Sequence, residues 1–466
     1  MMLREKDKPT ERIVMAVDIG GSKFMTGFVS TDGEILAVER YEWKVRTPEG
    51  IVEQIGKAMA GIAAGHPHLT EQAVAGGVTI PALADPVRGL WVDSDFLDVH
   101  DLPICDLLAE RLGVPFYGDN DCNACVLAES YFGGARDIDN FLYLTVSSGI
   151  GGGVFLGGDL YYGARYQAGE IGLTISEPDG RLSLSGNQRG PLEMYGGTAG
   201  MAQTYRELGG ALSDMDDLGG KEIAEAARAG DVAALRTVEL EGCYLGRAIA
   251  NAAALVAPQR VVLGGGISLQ FDLFQQPLFD ELKRLGEAHV PVVFASELGY
   301  EGAFLAAAAC ARRGLDGFDC ALGTGSEGVC VLGVAVHDDG PCVTNLMVSG
   351  RCVTNRKAPG LAGYLVSQGI ADTGYALGDL VRGDRLNELV NRAEAGDLGS
   401  EEELAIMGQA LGRALAFACM LLDPGTIRLA GGLARARAWL EPEVLEAIQR
   451  EIYWAKGEVP YRMEWM

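Results

Sequence analysis

Long apolar runs are missing from this sequence of 466 residues. The longest, such as Ala303–Ala311, have about ten residues, whereas a helix needs about 20 to cross a bilayer. The N-terminus is charged and lacks the apolar segment of a secretory signal. The ten cysteines lack the spacing of a small disulfide scaffold, which indicates reduced thiols. We therefore expect a cytoplasmic protein without a membrane partner.

Positive charge is also scarce. Lys and Arg total 38 against 64 Asp and Glu, so the formal net charge is −26. Nucleic acids and anionic membranes attract clustered cations, because their phosphate groups are negatively charged. The charge balance therefore predicts no nucleic-acid partner.

Two common enzyme motifs are absent: the Walker sequence Gly-x-x-x-x-Gly-Lys-Ser/Thr and the hydrolase sequence Gly-x-Ser-x-Gly. Gly323, Gly325 and Gly328 do match Gly-x-Gly-x-x-Gly. The following residues 329–336 are typical of a strand, whereas the dinucleotide-binding motif requires a helix there. A Rossmann dinucleotide site is therefore disfavoured.

Glycine, in contrast, is abundant, with 65 residues. It forms clusters that follow short β-rich runs, at Met15–Lys23, Phe141–Gly153 and Arg260–Ser268. A single such cluster is adequately explained as a tight turn. Three clusters, each closing a strand, favour a phosphate or nucleotide cradle, because glycine lets backbone N–H groups approach an anion.

The apolar pattern predicts strands alternating with helices. We expect strands within 13–38, 73–80, 114–118, 141–162 and 260–263, and helices within 48–64, 103–113, 122–132 and 198–257. Such alternation is typical of an α/β fold with mixed sheets.

The chain contains an internal repeat. An offset of 166 residues aligns Gly242–Ser268 with Gly408–Ala434, and 12 of 27 positions are identical. Alanine-rich helices match partly by chance, but here the Pro and the strand–Gly-Gly turn match too. Duplication is the better interpretation. Leu322–Val329 would then be a degraded copy of the Ser147–Val154 cradle.

Chemistry is indicated most clearly in Gly118–Cys125, which reads GDNDCNAC at a predicted strand-to-helix junction. A carboxylate fixed there can accept a proton from a substrate hydroxyl. Taken alone, the segment is equally well explained as a pair of helix caps.

With the three cradles, this segment resembles the ROK family of sugar kinases and sugar-responsive repressors, over about residues 12–312. The resemblance implies a two-lobed actin/hexokinase-like (ribonuclease H-like) fold. It implies Asp121 as catalytic base and Asn120, Glu170 and Glu193 as sugar ligands, with Glu170 inside Ala168–Gly172. Asp95 aligns less securely with a further sugar ligand. The ATP and phosphate positions are Asp18, Gly20, Gly21, Ser22, Lys23, Ser148, Gly149, Gly151, Gly264, Gly265 and Gly266.

The resemblance implies ATP-dependent phosphorylation of glucose or a related hexose or aminosugar. ATP and Mg²⁺ would be the cofactors, with Asp18 orienting the waters of the metal. A non-catalytic sugar- or nucleotide-sensing pseudokinase is the alternative, and polyphosphate is an alternative donor. A repressor is disfavoured because few residues precede Ile13 to form a helix-turn-helix.

Several positions depart from the family pattern. The family histidine is Leu173, and the zinc-binding cysteine positions are Leu184, Gly186 and Pro191. These side chains cannot bind zinc, so we predict a zinc-free protein. Ala82 replaces the glycine of the family Pro-Gly loop. These changes leave the sugar specificity open.

We expect three domains: an N-terminal kinase lobe (1–118), a C-terminal kinase lobe (119–312) and a degenerate repeat of the latter (313–466). The repeat lacks counterparts of Asn120, Asp121 and the Ala-Gly-Glu motif, so we expect no second active site. It could occupy the place of a partner subunit and produce a monomeric pseudo-dimer, or form a lid or regulatory site.

Overall fold

The computed structural model describes residues 12–94, 97–183, 185–285, 290–317, 330–336, 343–348, 351–357, 383–452 and 459–466. The sequence-predicted site residue Asp95 and the proposed cradle copy Leu322–Val329 lie outside these ranges. The chain forms two compact units, one from residues 1–137 and 297–320, the other from 138–296 and 321–466. The first unit thus extends beyond the boundary expected at residue 118, and the division into three domains stays a prediction.

The first unit is built on a mixed five-stranded sheet. Its strand order is β3-β2-β1-β4-β8, with β1, β4 and β8 parallel and β2 and β3 antiparallel. The strands that form it are β1 (Ile13–Ile19), β2 (Lys23–Ser30), β3 (Ile35–Glu42), β4 (Ala73–Ile80) and β8 (Phe116–Asn120). The carboxyl ends of the three parallel strands therefore share one edge of the sheet.

A smaller three-stranded sheet lies between β4 and β8 in sequence. It contains β5 (Leu83–Asp85), β6 (Leu90–Ser94) and β7 (Val99–Leu102). The helices of this unit are α1 (Pro48–Gly65), α2 (Pro67–Gln72), α3 (Ile104–Leu112), α4 (Asp121–Tyr131) and α10 (Gly302–Leu315). α3 ends at Gly113 in the left-handed conformation, as its sequence predicts.

The second unit contains a sheet of the same design. Its order is β11-β10-β9-β12-β13, where β9, β12 and β13 are parallel. The strands are β9 (Phe141–Val146), β10 (Ile150–Leu156), β11 (Asp159–Tyr161), β12 (Arg260–Gly264) and β13 (Val292–Ala295). The helices are α5 (Glu193–Gly196), α6 (Thr198–Glu207), α7 (Gly220–Arg228), α8 (Val232–Val256) and α9 (Phe271–Leu285).

A third sheet in this unit repeats that order as β16-β15-β14-β17-β18, with the same parallel and antiparallel pairings. Its strands are β14 (Cys330–Val336), β15 (Val343–Val348), β16 (Arg351–Lys357), β17 (Thr426–Gly431) and β18 (Arg462–Trp465). Its helices are α11 (Gly383–Glu394), α12 (Leu398–Leu422), α13 (Gly432–Arg435) and α14 (Arg437–Glu451).

The 166-residue offset relates the helices of the second and third sheets. It maps α8 onto α12 and α9 onto α14, end to end. The residue that follows each long helix, Ala257 or Asp423, is left-handed in both cases, with φ of 49° and 40°. This correspondence is what a duplication would leave.

One hydrophobic core runs through both halves of the second unit, from Leu142 to Tyr461. α12 crosses it, and this helix alone among those described is long and apolar enough to span a membrane by length and composition. Most of its most apolar stretch is buried inside the protein, which is typical of a core helix in a large unit.

Candidate active site

Asp18 is the penultimate residue of β1, and the parallel register places it opposite Thr79 on β4. The Thr79 hydroxyl donates to Asp18 Oδ1 at 2.7 Å and accepts from the Ile19 backbone N–H at 3.1 Å. Burial raises the pKa of Asp18 from 3.8 to about 6, and the negative charge of Asp121 adds to this rise. Two acidic side chains of the first unit therefore share one electrostatic environment.

Asn120 and Asp121 occupy the junction between β8 and α4. Asn120 caps the helix, because its Oδ1 accepts from the N–H groups of Cys122 at 2.9 Å and Asn123 at 3.2 Å. Asp121 Oδ1 accepts from the Cys122 N–H at 2.8 Å. Burial raises the pKa of Asp121. The cap explanation of this segment is thus correct for Asn120, and it also fixes Asp121 at the helix N-terminus.

Ala82 supports the same junction through its backbone. Its carbonyl accepts from Asn120 Nδ2 at 2.9 Å. Its φ is +71°, a left-handed value that glycine adopts more readily than alanine. The family glycine at this position therefore has a conformational reason, and this chain keeps the backbone shape with an alanine.

The first glycine cluster forms a tight turn after β1. The Gly20 N–H donates to the Lys23 carbonyl at 2.9 Å, and Trp43 Nε1 donates to the Gly20 carbonyl at 2.8 Å. Gly21, Ser22 and Lys23 are exposed. The two hydrogen bonds at Gly20 fix the backbone of the turn, while its exposed residues 21–23 are accessible to an anionic ligand.

The second cluster forms the turn between β9 and β10 in the second unit. The Ser147 N–H donates to the Gly149 carbonyl at 2.9 Å, and Ser148 is exposed. A Cβ on Gly149 would lie 3.0 Å from Glu193 Oε2, so this carboxylate is adjacent to the turn. Burial raises the pKa of Glu193, which begins α5.

Ala168–Gly172 packs its backbone directly on β10. A Cβ on Gly172 would come within 1.8 Å of the Ile150 carbonyl oxygen, and one on Gly169 within 2.6 Å of the Gly152 oxygen. Gly169 also has a φ of +94°. Only glycine fits at these two positions, and they hold the half-buried Glu170 between them.

The third cluster closes over the end of β9. Gly265, with a φ of +84°, approaches so closely that a Cβ would lie 2.5 Å from the Val146 oxygen. The Ser268 hydroxyl donates to the Gly265 carbonyl at 2.7 Å. Gly266 is exposed, with open space around its Cβ position. The clusters around Gly149 and Gly265 thus meet at one end of β9.

The four positions at which the family pattern has zinc ligands carry other residue types in this chain. Leu173 packs partly buried against the hydrophobic core, and its carbonyl accepts from Gln188 Nε2 at 2.8 Å. Leu184 lies outside the described residues, and Gly186 and Pro191 offer no ligand atom on their side chains. Within the described ranges, no group of three or more His, Cys, Asp or Glu could hold a metal ion. Absence of zinc remains a prediction from these residue types.

The structure brings the predicted residues together in two sets, one in each unit. The first contains Asp18, Asn120, Asp121 and the 20–23 turn, and the second contains Gly149, Gly265, Glu170 and Glu193. Sequence reasoning missed Thr79 and Gln188, which act through Asp18 and the Leu173 backbone. Their signal was weak, since a single Thr in a strand and a single Gln in a loop are common.

Three sheets of one design, with glycine turns at the strand ends of the first two and acidic residues at those of the first, define the class: an actin/hexokinase-like protein. The sequence profile of the ROK family matches residues 14–313. The chain belongs to the ROK family.

Relatives of two kinds match this region. A glucokinase of Streptomyces coelicolor is 30% identical over 317 residues, covering 65% of this chain and 98% of the relative. The DNA-binding transcriptional dual regulator NagC of Escherichia coli is 30% identical over 293 residues, which cover 61% of this chain and 71% of the relative. The solved ROK glucokinase of Streptomyces griseus, in complex with glucose and AMPPNP, matches with a TM-score of 0.57 and 29% identity, covering 65% of this chain and 99% of that one.

Proposed function

We propose that this protein transfers a phosphoryl group from ATP to a hydroxyl of glucose or a related hexose or aminosugar. The observation that carries the proposal is Asp121, held at the start of α4 by the Cys122 N–H in the same acidic environment as Asp18. Glucokinase relatives that this chain matches along nearly their full length support it.

Asp121 would act as the general base. A sugar hydroxyl is a poor nucleophile, so its proton must leave as the new O–P bond forms. A raised carboxylate pKa improves proton acceptance as long as the group is ionised at the working pH. The N-terminus of α4 favours that ionised form through its N–H groups.

Asn120, Glu170 and Glu193 would bind the other sugar hydroxyls, with Asp95 as a further ligand. Carboxylate and amide oxygens accept the hydrogen bonds that several hydroxyls donate. Each proposed ligand among the described residues has a fixed backbone: Asn120 through its cap, Glu170 between two crowded glycines, and Glu193 at the start of α5. Such fixed acceptors reduce the entropic cost of orienting the substrate.

The glycine turns would hold the phosphates of ATP. Each of Gly20, Gly149 and Gly265 lies so close to neighbouring atoms that an added Cβ would crowd them. Gly266, in contrast, has open space around its Cβ position, so a ligand can approach the backbone there. A divalent cation beside Asp18 would compensate the negative charges of Asp18 and Asp121. In this proposal Asp18 orients the water molecules bound to Mg²⁺. When bound, Mg²⁺ supplies charge neutralisation for phosphoryl transfer.

A non-catalytic sugar- or nucleotide-sensing role is the second candidate. It is favoured by Leu173, which replaces a histidine donor with an apolar side chain, and by the match to NagC. Retention of Asp18, Asn120, Asp121, Glu170 and Glu193 favours the kinase. Polyphosphate remains an alternative donor for the same chemistry.

A coupled ADP-release assay across a panel of hexoses and aminosugars tests the proposal. We expect turnover on at least one sugar, and loss of about 10²–10⁴-fold in kcat for Asp121→Asn, with sugar binding retained. Asp106→Asn, at an exposed position on α3, is the matched control and should keep wild-type turnover. Nucleotide binding without turnover on any sugar or with polyphosphate would instead support the sensor.

A further inference from the structure

The end of α12 docks on the loop that carries Glu170. The last carbonyls of a helix have no partner inside the helix. Here Met420 O accepts from the Glu170 N–H at 3.0 Å and Leu421 O from the Gly169 N–H at 2.9 Å. Leu422 O accepts from the Tyr161 hydroxyl at 2.6 Å. The C-terminal segment therefore supplies backbone partners to residues 162–173, the Glu170 loop.

Asp423, the residue that follows α12, makes the most concentrated contact with this loop. Its side chain is fully buried and forms an ion pair with Arg165. Asp423 Oδ2 accepts from the N–H groups of Arg165 at 2.5 Å and Gln167 at 3.4 Å, and its own carbonyl accepts from the Ala164 N–H at 2.7 Å. Asp423 thus holds three backbone N–H groups of the loop, those of Ala164, Arg165 and Gln167, and the side chain of Arg165.

Arg165 is held from a second side by the end of the chain. Its Nη1 donates to the Pro460 carbonyl at 2.9 Å, and its guanidinium lies over the Tyr461 ring, 4.4 Å from the centroid. Arginine in such a stacked, hydrogen-bonded position is confined in orientation. The ion pair therefore joins the confined side chain of Arg165 to Asp423 at the end of α12.

Helix capping does not explain the carboxylate. Under the 166-residue offset, Asp423 corresponds to Ala257, which ends α8 with the same left-handed backbone. The Ala257 N–H donates to Ala253 O, just as the Asp423 N–H donates to Cys419 O. Because alanine suffices in the first copy, the carboxylate of Asp423 serves its contacts with the Glu170 loop.

The same segment reaches the adjoining loop. Gln188 is buried, and its Nε2 donates to Leu173 O at 2.8 Å and to Glu451 O, at the end of α14, at 2.6 Å. Leu173 occupies the position of the family histidine, and residues 184–191 that of the zinc-binding cysteines. The C-terminal segment thus braces the region in which the family pattern places zinc.

We propose that Asp423 is a positioning residue for sugar binding: through Arg165 and the backbone at 164–167 it fixes the Glu170 loop. The C-terminal repeat thereby supplies support that zinc ligation would give elsewhere in the family. This inference rests on the proposed function, in which Glu170 binds the sugar.

The test compares full-length wild type with Asp423→Ala, which copies the cap of Ala257. Hydrogen exchange without ligand should speed up at least tenfold in a peptide covering residues 162–173. With glucose and N-acetylglucosamine as probes, the KM for the sugar that is turned over should rise about tenfold or more, while the KM for ATP changes less than about twofold. Asp423→Asn keeps the left-handed backbone and the acceptor oxygen, so it should give a smaller rise.

Glu394→Ala is the matched control, since it removes an exposed ion pair with Arg435 in the same unit. It should change neither exchange in the loop nor the KM for sugar. Unchanged exchange in Asp423→Ala, or faster exchange with an unchanged sugar KM, overturns the positioning role and leaves the proposed function standing. A wild type that neither binds nor phosphorylates any sugar overturns the proposed function and the positioning role together.

Discussion

At the scale of residues, the pair Asp18 and Asp121 sets an expectation for pH dependence. Burial, aided by Asp121, brings the pKa of Asp18 to about 6. If ionised Asp18 is needed to orient the metal waters, kcat/KM for the sugar should be full well above pH 6 and fall as pH decreases through about 6. The two carboxylates interact, so the apparent pKa belongs to the pair.

A substitution of Thr79 should shift the acid limb of the pH–rate profile, the pH range in which kcat/KM falls. The Thr79 hydroxyl donates to Asp18, which favours the ionised form and lowers the Asp18 pKa. Thr79→Val should therefore shift the acid limb to higher pH, and Thr79→Ser, which keeps the hydroxyl, should leave it near the wild-type position. A pH–rate profile for the three proteins measures this. An identical limb in all three would remove Asp18 from the catalytic assignment.

At the scale of elements, the sequence predicted most of the strands and helices that position the site. β4, α1 and β12 agree with the predicted ranges within one or two residues, because α1 has a buried face with regular spacing and the two strands are short, continuous buried runs. The helix cap at Asn120 also follows from residue type. The glycine turns were predicted as clusters, and the structure supplies their reason, backbone crowding at Gly172 and Gly265.

Long-range contacts could not be predicted in this way. The small sheet β5-β6-β7 has strands of three to five residues that include polar side chains, so its pattern is too brief to distinguish from a loop. The pairing of Arg165 with Asp423 joins residues 258 positions apart. Neither residue belongs to a motif, and only the fold of the second unit brings them together.

A buried acid on α14 gives a prediction at this scale. Burial raises the pKa of Glu451 from 4.5 to about 7, although Arg413 and Arg450 lie beside it. An acid with a raised pKa in the folded state contributes stability below about pH 4.5, and this is lost as pH rises through about 7. Glu451→Gln should therefore gain stability relative to wild type between pH 4 and pH 8, by about 2–3 kcal/mol.

Denaturant unfolding at several pH values measures that difference. Glu446→Gln, on an exposed position of the same helix, is the control and should show a constant offset from wild type. A constant offset for Glu451→Gln as well would mean that burial does not change the pKa of Glu451 and would contradict the prediction.

At the scale of the whole molecule, the repeat bears on the oligomeric state. α8 contacts α12, β15 and β16, and one hydrophobic core spans both halves of the second unit. We propose that the repeat takes the place of a second subunit, as a pseudo-dimer within one chain.

Light scattering across a range of protein concentrations should then give the mass of one chain, 49.3 kDa. The burial of α8 by the chain's own residues is the reason for this expectation. A stable homodimer whose cross-links map to α8 would contradict it, whereas a dimer through another surface would leave the role of the repeat unchanged.

The alternation of the two units along the chain has a consequence for synthesis on the ribosome. The first unit includes α10, and the second resumes with β14 and includes β18 near the end of the sequence. Domains that are continuous in sequence can fold one after another as they emerge. Here neither unit is complete when its first segment emerges, and the partner of Arg165 is translated more than 250 residues later. The core of the first unit therefore stays unfinished until α10 has emerged, and the core of the second unit, with the loop that carries Glu170, stays unfinished until α12 and β18 have emerged.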